Sequence, residues 1–552
     1  MTQYNMLEAP QGPDPKRLLL AIVLTSAVLM LYSYFFSPSP EVAKQAVPQQ
    51  EEKIAVAPPA AVPEAAPLIA HQEATAEQPI QRLPFSVKET KHSGLYERTS
   101  YQAFVANKGG VVSRFALTDF SDPRILFDQE NLGSSLVQVS CKKPLPLAAD
   151  ASYEIVKHDD KNIVLRHVTK EGLSLVRDYT FLENATIKET LTFKNLAANP
   201  IKVEPVLTAV KVDERGAEPG FLNPGVDGQY IAVKTSDKYQ RISYADLKDK
   251  AQSFSAINYV AFDEQFFLAA LVPSYQALIE RVDVVVRDVS ERKKIATIDM
   301  TLAPFVLMNN EEKSLSHQFF IGPKQIDLLS SFKTRLDENI DFGWFGVLSR
   351  PMLWLLVQIF IFVKNYGLAI ILITFIIKLL TYPLTQKSFS SQQESKKLQP
   401  KMKELQSKYG HDRTLLGQKQ MELYKAHGIN PMASCLPLLI QLPIWFAFFQ
   451  MLRNSVELFD QPFYWWITDL TRPDPYLVLP VLMGVTMLIQ QAFTPPPTEQ
   501  PQMKYMMWAM PIFLTFIMLN MPSGLSLYLL TNNLLTIGQQ IIIKKKVEKI
   551  AT

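Results

Sequence analysis

Between residues 366 and 543 the chain repeats one pattern: an apolar run of nearly membrane-spanning length, a polar break, then another apolar run. Lipid offers backbone N–H and C=O groups no partner, so only helices or closed barrels cross it. A run near twenty residues matches the ~30 Å hydrocarbon layer as a helix. Spans are therefore predicted at 366–384, 432–452, 476–493, 505–520 and 525–543, and a sixth run at 18–36 follows Lys16-Arg17. A cleavable signal peptide is the rival for that first run. It is long for a signal core, however, and Tyr34-Phe35-Phe36-Ser37-Pro38 offers no A-x-A-like site, so an uncleaved anchor is expected.

Overall hydrophobic content of 47% conceals this division, because the residues between anchor and spans follow another rule. In Ala185-Thr186-Ile187-Lys188-Glu189-Thr190-Leu191-Thr192-Phe193 the odd positions are mostly apolar and the even ones polar. Period two, punctuated by Gly109-Gly110, Glu183-Asn184 and Val226-Asp227-Gly228, predicts an antiparallel β-sandwich. The expected organisation is a short N-terminus at 1–17, the anchor at 18–36, a Pro/Ala-rich linker at 37–81 and the β domain at 82–335. After these come an interfacial amphipathic helix at 340–364, the helical core at 366–543 and a basic tail at 544–552. The apolar stretch 353–363 alone is too short to cross, and Trp344, Trp354 and Arg350 suit a helix in the interface plane. A single long tilted span from 353 to 384 is the alternative.

Charge is informative by position. The net value of +3 predicts no nucleic-acid partner, but nine Lys or Arg residues crowd the segment 387–425 and Lys544, Lys545 and Lys546 the tail. The loop 453–475 carries Arg453 and Arg472 against Glu457, Asp460, Asp469 and Asp474. The positive-inside rule then makes both termini and the 385–431 segment cytoplasmic, with the β domain in the periplasm of a two-membrane bacterium or an equivalent space. The cysteines Cys141 and Cys435 fall in unlike regions, so no disulfide is expected, and the scattered histidines show no metal-ligand spacing.

Inside the first core run stands Lys378. A lysine at mid-membrane costs about 2.5–3.5 kcal/mol on insertion scales. Thr374, Lys378, Thr381 and Thr385 share one helix face, and Ser526, Asn533, Thr536 and Gln540 form a stripe on the last span. With Gln441, Thr486, Gln490 and Thr515 they suggest a wet cavity with Lys378 as its fixed charge. Snorkelling is the competing reading: Lys378 lies ~12 Å from the cytoplasmic end, part of which a stretched lysine recovers. None of the five core runs contains Asp or Glu, which argues against ion or proton transport and leaves the cation available to a transient acidic guest. Leu398, Met402, Leu405 and Tyr409 form a helical stripe in a basic hairpin spanning 386–429. Its lysines, with Lys396, Lys397, Lys401 and Lys403 foremost, suit either a solvated face near anionic lipid or a dock for a ribosome or emerging chain.

Several short motifs together resemble the YidC/Oxa/Alb family of membrane-protein insertases. They are Ile373-Thr374-Phe375-Ile376-Ile377-Lys378 with Tyr382-Pro383-Leu384-Thr385, Leu398-Gln399-Pro400-Lys401, Asn430-Pro431, Pro437-Leu438-Leu439-Ile440-Gln441-Leu442-Pro443, Met510-Pro511-Ile512-Phe513 and Pro522-Ser523-Gly524-Leu525. Phe320-Ile321-Gly322-Pro323 matches the end of the family's outer domain. The layout is similar to the Gram-negative form. The resemblance implies six transmembrane helices, five of them a core around a groove closed on the outside, plus a β-supersandwich periplasmic domain. It also implies nascent membrane proteins as clients, a path lined by Thr374, Gln441 and Tyr528, and work with the Sec translocon. Two departures stand out: the family usually carries arginine where Lys378 stands, and Leu529 follows Tyr528 where a second aromatic is common.

The functional expectation is an insertase and chaperone of the inner membrane, not an enzyme and without a cofactor; no GxxxxGK[ST] loop occurs, so nothing suggests ATP or GTP use. A Sec-dependent assembly chaperone without insertion activity of its own is the alternative. An envelope enzyme acting on carbohydrate is a third, but His158, Asp159, Asp160 and His167 form no motif with assignable roles.

Overall fold

A computed structural model describes residues 80–87, 100–121, 124–129, 135–141, 147–214, 229–247, 250–290, 293–428, 436–493 and 501–551. The expected N-terminus, anchor and all but the end of the linker lie outside them, as do Val226-Asp227-Gly228 and Cys435.

The alternating region is antiparallel throughout. Among the described residues its largest sheet has nine strands, running from Tyr239–Ser243 at one edge to Glu154–His158 at the other. A five-stranded sheet ending in Ser135–Cys141 and a four-stranded sheet between Arg82 and Asp128 complete the core. Strand Thr186–Asn195 shows the alternation at work: Ile187, Leu191 and Phe193 are buried and Lys188 is exposed. The polar member of that buried row, Glu189, is fully enclosed. It takes Arg177 Nε at 2.6 Å and His317 Nε2 at 2.8 Å, while the other guanidinium nitrogens donate to Gly109 O and Val137 O. Burial pushes the Glu189 carboxyl up, but Arg177 and His317 outweigh it and hold the group down at about 2. One charged cluster thus ties the large sheet to both smaller ones.

The second region is helical. Helix α1 (Gly346–Val363) is followed by α2 (Tyr366–Lys397), and the two are separate: Lys364 takes a left-handed φ of 55° and its N–H closes on Phe360 O. Asn365 Oδ1 accepts from Leu368 N, starting α2 afresh, and the Phe360 and Tyr366 rings stack at 3.9 Å. The single long span from 353 to 384 is therefore not formed. Gly367 sits where an added Cβ would overlap the Phe463 ring, so this corner needs glycine.

A basic hairpin follows, made of α3 (Gln399–Tyr409) and α4 (Arg413–Ala426), the latter capped by Asp412 through Thr414 N and Leu415 N. Since α2 runs to Lys397, residues 386–397 belong to it rather than to the hairpin. The remaining helices are α5 (Leu436–Asn454), α6 (Val478–Phe493), α7 (Pro501–Met518) and α8 (Ser523–Ala551).

Two helical stretches among the described residues, Gly343–Val363 and Tyr366–Ser395, are long and apolar enough to cross a membrane. Val478–Ala492 and Trp508–Met518 are apolar but shorter. The outward faces are oily: Val347, Trp354 and Phe362 on α1, Leu379 and Leu380 on α2, and Ile512, Phe513 and Phe516 on α7 are exposed. So much exposed apolar surface is foreign to a water-soluble monomer.

The β domain meets the loop between α5 and α6. The Phe459 ring lies 5.5 Å from Phe120, 5.0 Å from Phe266 and 5.5 Å from Phe267. Around it Ser121 N donates to Asp460, Gln265 Nε2 to Arg453 O and Asn454 Nδ2 to Asp341 O. Close by in sequence, Glu457 is buried and its Oε2 has no hydrogen-bond partner among the described residues. Burial, with Asp327 adding repulsion, pushes this carboxyl up from 4.5 to about 7. A carboxyl with a higher folded than unfolded pKa binds more protons when folded. Its burial then carries no charge penalty below about pH 4 and an increasing one up to about pH 7. Glu457→Gln should leave the melting temperature unchanged near pH 4 and raise it near pH 8, by the equivalent of about 3 kcal/mol. Calorimetry of the full chain in micelles checks this, and an equal shift at both pH values contradicts it.

Candidate functional site

The polar face of α2 turns toward α8. Lys378, 8% exposed, donates from Nζ to Thr536 Oγ1 at 2.8 Å. Thr536 in turn donates its hydroxyl to Asn532 O at 2.6 Å. Gln539 Nε2 reaches the Lys378 carbonyl at 3.4 Å. The side chain thus runs across to the neighbouring helix and not along α2 toward a helix end.

The other predicted residues meet the same helix from different sides. Gln441 of α5 donates to Tyr528 Oη at 2.9 Å, and the Tyr528 ring stacks on Phe448 at 4.1 Å. Asn533 Nδ2 donates to Thr486 Oγ1 of α6 at 3.3 Å. Thr374 and Thr381 lie on the α2 face but spend their hydroxyls on its own carbonyls, Ile370 O and Ile377 O. Helix α8 is therefore the hub, touching α5 through Tyr528, α6 through Asn533 and α2 through Thr536. On it Ser526 Oγ, Gln539 Oε1 and Gln540 Oε1 are buried without a hydrogen-bond partner among the described residues. Such orphans are rare in folded interiors, and polar guests or water usually account for them.

The docking candidates stand apart from this seam. Lys397, Lys401, Lys403 and Lys545 are exposed. Lys401 Nζ lies 3.1 Å from His427 Nε2. The side chains of Lys396, Lys544 and Lys546 lie outside the described residues.

Sequence reasoning placed Thr536 on the polar stripe without assigning it a role, and gave none to Asp474. The α5–α6 loop folds back onto the start of α8 at Pro522-Ser523-Gly524. Ser523 N donates to Arg472 O at 2.7 Å and Gly524 N to Leu470 O at 3.0 Å. A Cβ on Gly524 would stand 3.1 Å from Leu470 O, so glycine allows this approach. Asp474 holds the loop's shape: its carboxylate accepts from Trp466 Nε1 at 2.9 Å, Tyr476 N at 3.0 Å and Leu479 N at 2.7 Å. The last of these caps the start of α6.

Comparisons with known proteins agree over most of the length. A family described as the 60Kd inner membrane protein matches residues 358–550, and one described as the YidC periplasmic domain matches residues 97–355. A membrane protein insertase YidC of Geotalea daltonii is 33% identical over 548 residues, covering 96% of this chain and 99% of its own. One from Pelobacter propionicus is 33% identical over 576 residues, with the same coverage of 96% and 99%. A crystal structure of an active YidC insertase with its first transmembrane domain resolved is 19% identical. It covers 82% of this chain and 93% of its own, with a TM-score of 0.36.

Asp474→Ala strands three donors of the loop at once. It should speed protease cleavage within 464–479 by at least tenfold in the full chain, following a loss of about 2 kcal/mol. Asp474→Asn, which keeps an acceptor oxygen, should show a smaller effect in the same digestion.

Proposed function

The chain belongs to the YidC family of membrane protein insertases, and from that membership we propose that it inserts and helps fold integral membrane proteins in an inner membrane. The client's polar flank passes along the seam between α2 and α8. One observation carries this reading: a lysine ammonium buried between two helices of an oily bundle, resting on a neutral hydroxyl and not on a carboxylate. A charge kept there with no fixed counter-ion among the described residues attracts the acidic flank of a passing segment. Thr374 and Thr381 line the path on α2, Gln441 with Tyr528 and Asn533 border it where α8 meets α5 and α6, and the orphaned polar atoms of α8 lower the cost of hydrating the flank partway.

The chain crosses the membrane six times in this reading, with five of the spans forming the core. Its helices α6 and α7 are short enough to suit a locally thinned bilayer. Helix α1, although long enough to cross, is read as lying in the interface plane, with Trp354 and, just before it, Trp344 as anchors. The β domain and the α5–α6 loop share the periplasmic side, a reading supported by their packing around Phe459 and by the loop's acidic balance. The basic hairpin and tail then face the cytoplasm, where Lys397, Lys401, Lys403 and Lys545 meet a ribosome or an emerging chain. A Sec translocon is a second route by which clients arrive.

The test is reconstitution of the full chain alone in vesicles, with a single-span client carrying an acidic outer flank. Lys378→Ala should slow insertion of that client by about tenfold, the worth of one charge-assisted contact, and Lys378→Arg should restore it. An unaltered rate with alanine removes the charge from the mechanism. Insertion only when a translocon is added points instead to the assembly-chaperone role.

A further inference from the structure

We infer that Thr536 is the positioning residue of Lys378: it parks the ammonium at mid-seam and is weak enough to surrender it to a client carboxylate. The inference rests on the reading of Lys378 given above. An ammonium has three donors and no acceptor. Here one donor is directed at Thr536 Oγ1 at 2.8 Å, across the gap from α2 to α8. Thr536 commits its own hydrogen to Asn532 O at 2.6 Å, so toward Lys378 its oxygen acts as an acceptor. The direction of the contact is therefore fixed by the helix backbone, with no hydroxyl rotation left to choose.

Two properties make this pair suit a charge that must be lent out. First, the partner is neutral. A carboxylate accepting from an ammonium makes a bond about twice as strong as a neutral acceptor does. An incoming Asp or Glu therefore outcompetes Thr536, whereas a fixed acid in its place would not yield. Second, release leaves little behind. When Lys378 turns away, Thr536 keeps its bond to Asn532 O and frees only a lone pair, not a stranded donor. Without the hydroxyl, a lysine on this face lowers its cost by stretching along α2 toward the polar helix end, which takes the charge away from the seam.

The geometry also predicts a sign. Replacing the hydroxyl by a methyl removes the parking place, while replacing it by a carboxylate ties the ammonium down. Both changes harm acidic clients and spare neutral ones, which a purely structural defect would not do.

The experiment uses the full chain in vesicles of phosphatidylethanolamine and phosphatidylglycerol. Two single-span clients are inserted side by side in each preparation: one with an acidic flank, and its twin with Asn for every Asp. Their ratio cancels any difference in the amount of folded protein. Thr536→Val should slow the acidic client by about tenfold and leave the neutral twin within about twofold, as loss of one hydrogen bond to a charge requires. Thr536→Ser should match the parent chain on both. Thr536→Asp should slow the acidic client at least as much as Thr536→Val. In a Lys378→Ala background, Thr536→Val should add nothing. Equal slowing of both clients by Thr536→Val overturns the inference, as does its full additivity with Lys378→Ala or an acidic client unaffected by Thr536→Asp. If Lys378→Ala alone leaves the client ratio unchanged, the reading of Lys378 falls, and the inference falls with it. If Lys378→Ala shifts the ratio and Thr536→Val does not, only the role of Thr536 falls.

Discussion

A cation held between helices in lipid has few stable arrangements. It can run to the interface, pair with an acid, or rest on neutral oxygens. The core runs contain no Asp or Glu, which removes the second choice for Lys378, and its side chain turns across to α8, which sets aside the first. What remains is the third and least tightly bound state. That state depends on Thr536 staying in reach of α2.

Holding Thr536 there means holding α8. Along one helix Tyr528 engages Gln441, Asn533 engages Thr486 and Thr536 engages Lys378, so three neighbours are registered by three side-chain contacts. Interhelical hydrogen bonds of this kind contribute only about 0.6 kcal/mol each on average within membranes. Their value here is in fixing rotation of α8 more than in adding stability. The end of α8 is set independently, because Ser523 and Gly524 bond to the carbonyls of Arg472 and Leu470. That loop also carries Phe459 into the aromatic socket of the β domain. A continuous run of contacts therefore links the β domain to the helix that parks the lysine.

Much of this was legible in the residues. The apolar runs announced the helices, and period two announced the sheets, because both signals come from burial of one face. The face carrying Thr374, Lys378 and Thr381 followed from helical spacing alone. Boundaries were less visible: α2 runs past Gln386 to Lys397 because nothing in Lys387-Ser388-Phe389 breaks a helix. The break between 364 and 366 was placed correctly from the polar residues there, but not the left-handed Lys364 that makes it, a conformation lysine does not advertise. Glu189 read as an exception on an apolar strand face, since its partners Arg177 and His317 lie on other strands, and period reports faces, not pairings. Likewise Asp474 looked like one more acid in a loop. Its role appears only when the loop folds back to bring Trp466, Tyr476 and Leu479 around it.

The energetics explain why so modest a device suffices. An apolar segment of ~20 residues gains roughly 6–12 kcal/mol on entering the bilayer, at about 0.3–0.6 kcal/mol per large apolar residue. A flank with two or three acids costs roughly 5–10 kcal/mol at the membrane centre on the same scale. Once the flank has crossed it is hydrated again, so that cost is a barrier and not a final penalty. Insertion then needs no external energy source, only a lower barrier. In the proposed mechanism a single cation met at mid-depth, with unpartnered oxygens of Gln539 and Gln540 on the same helix as Thr536, acts where the barrier is highest. A tighter site would hold the flank as a bound state and slow its exit. On the proposed reading, a neutral parking oxygen keeps the attraction for the guest and limits the competition from the host, which is the balance a transfer path requires.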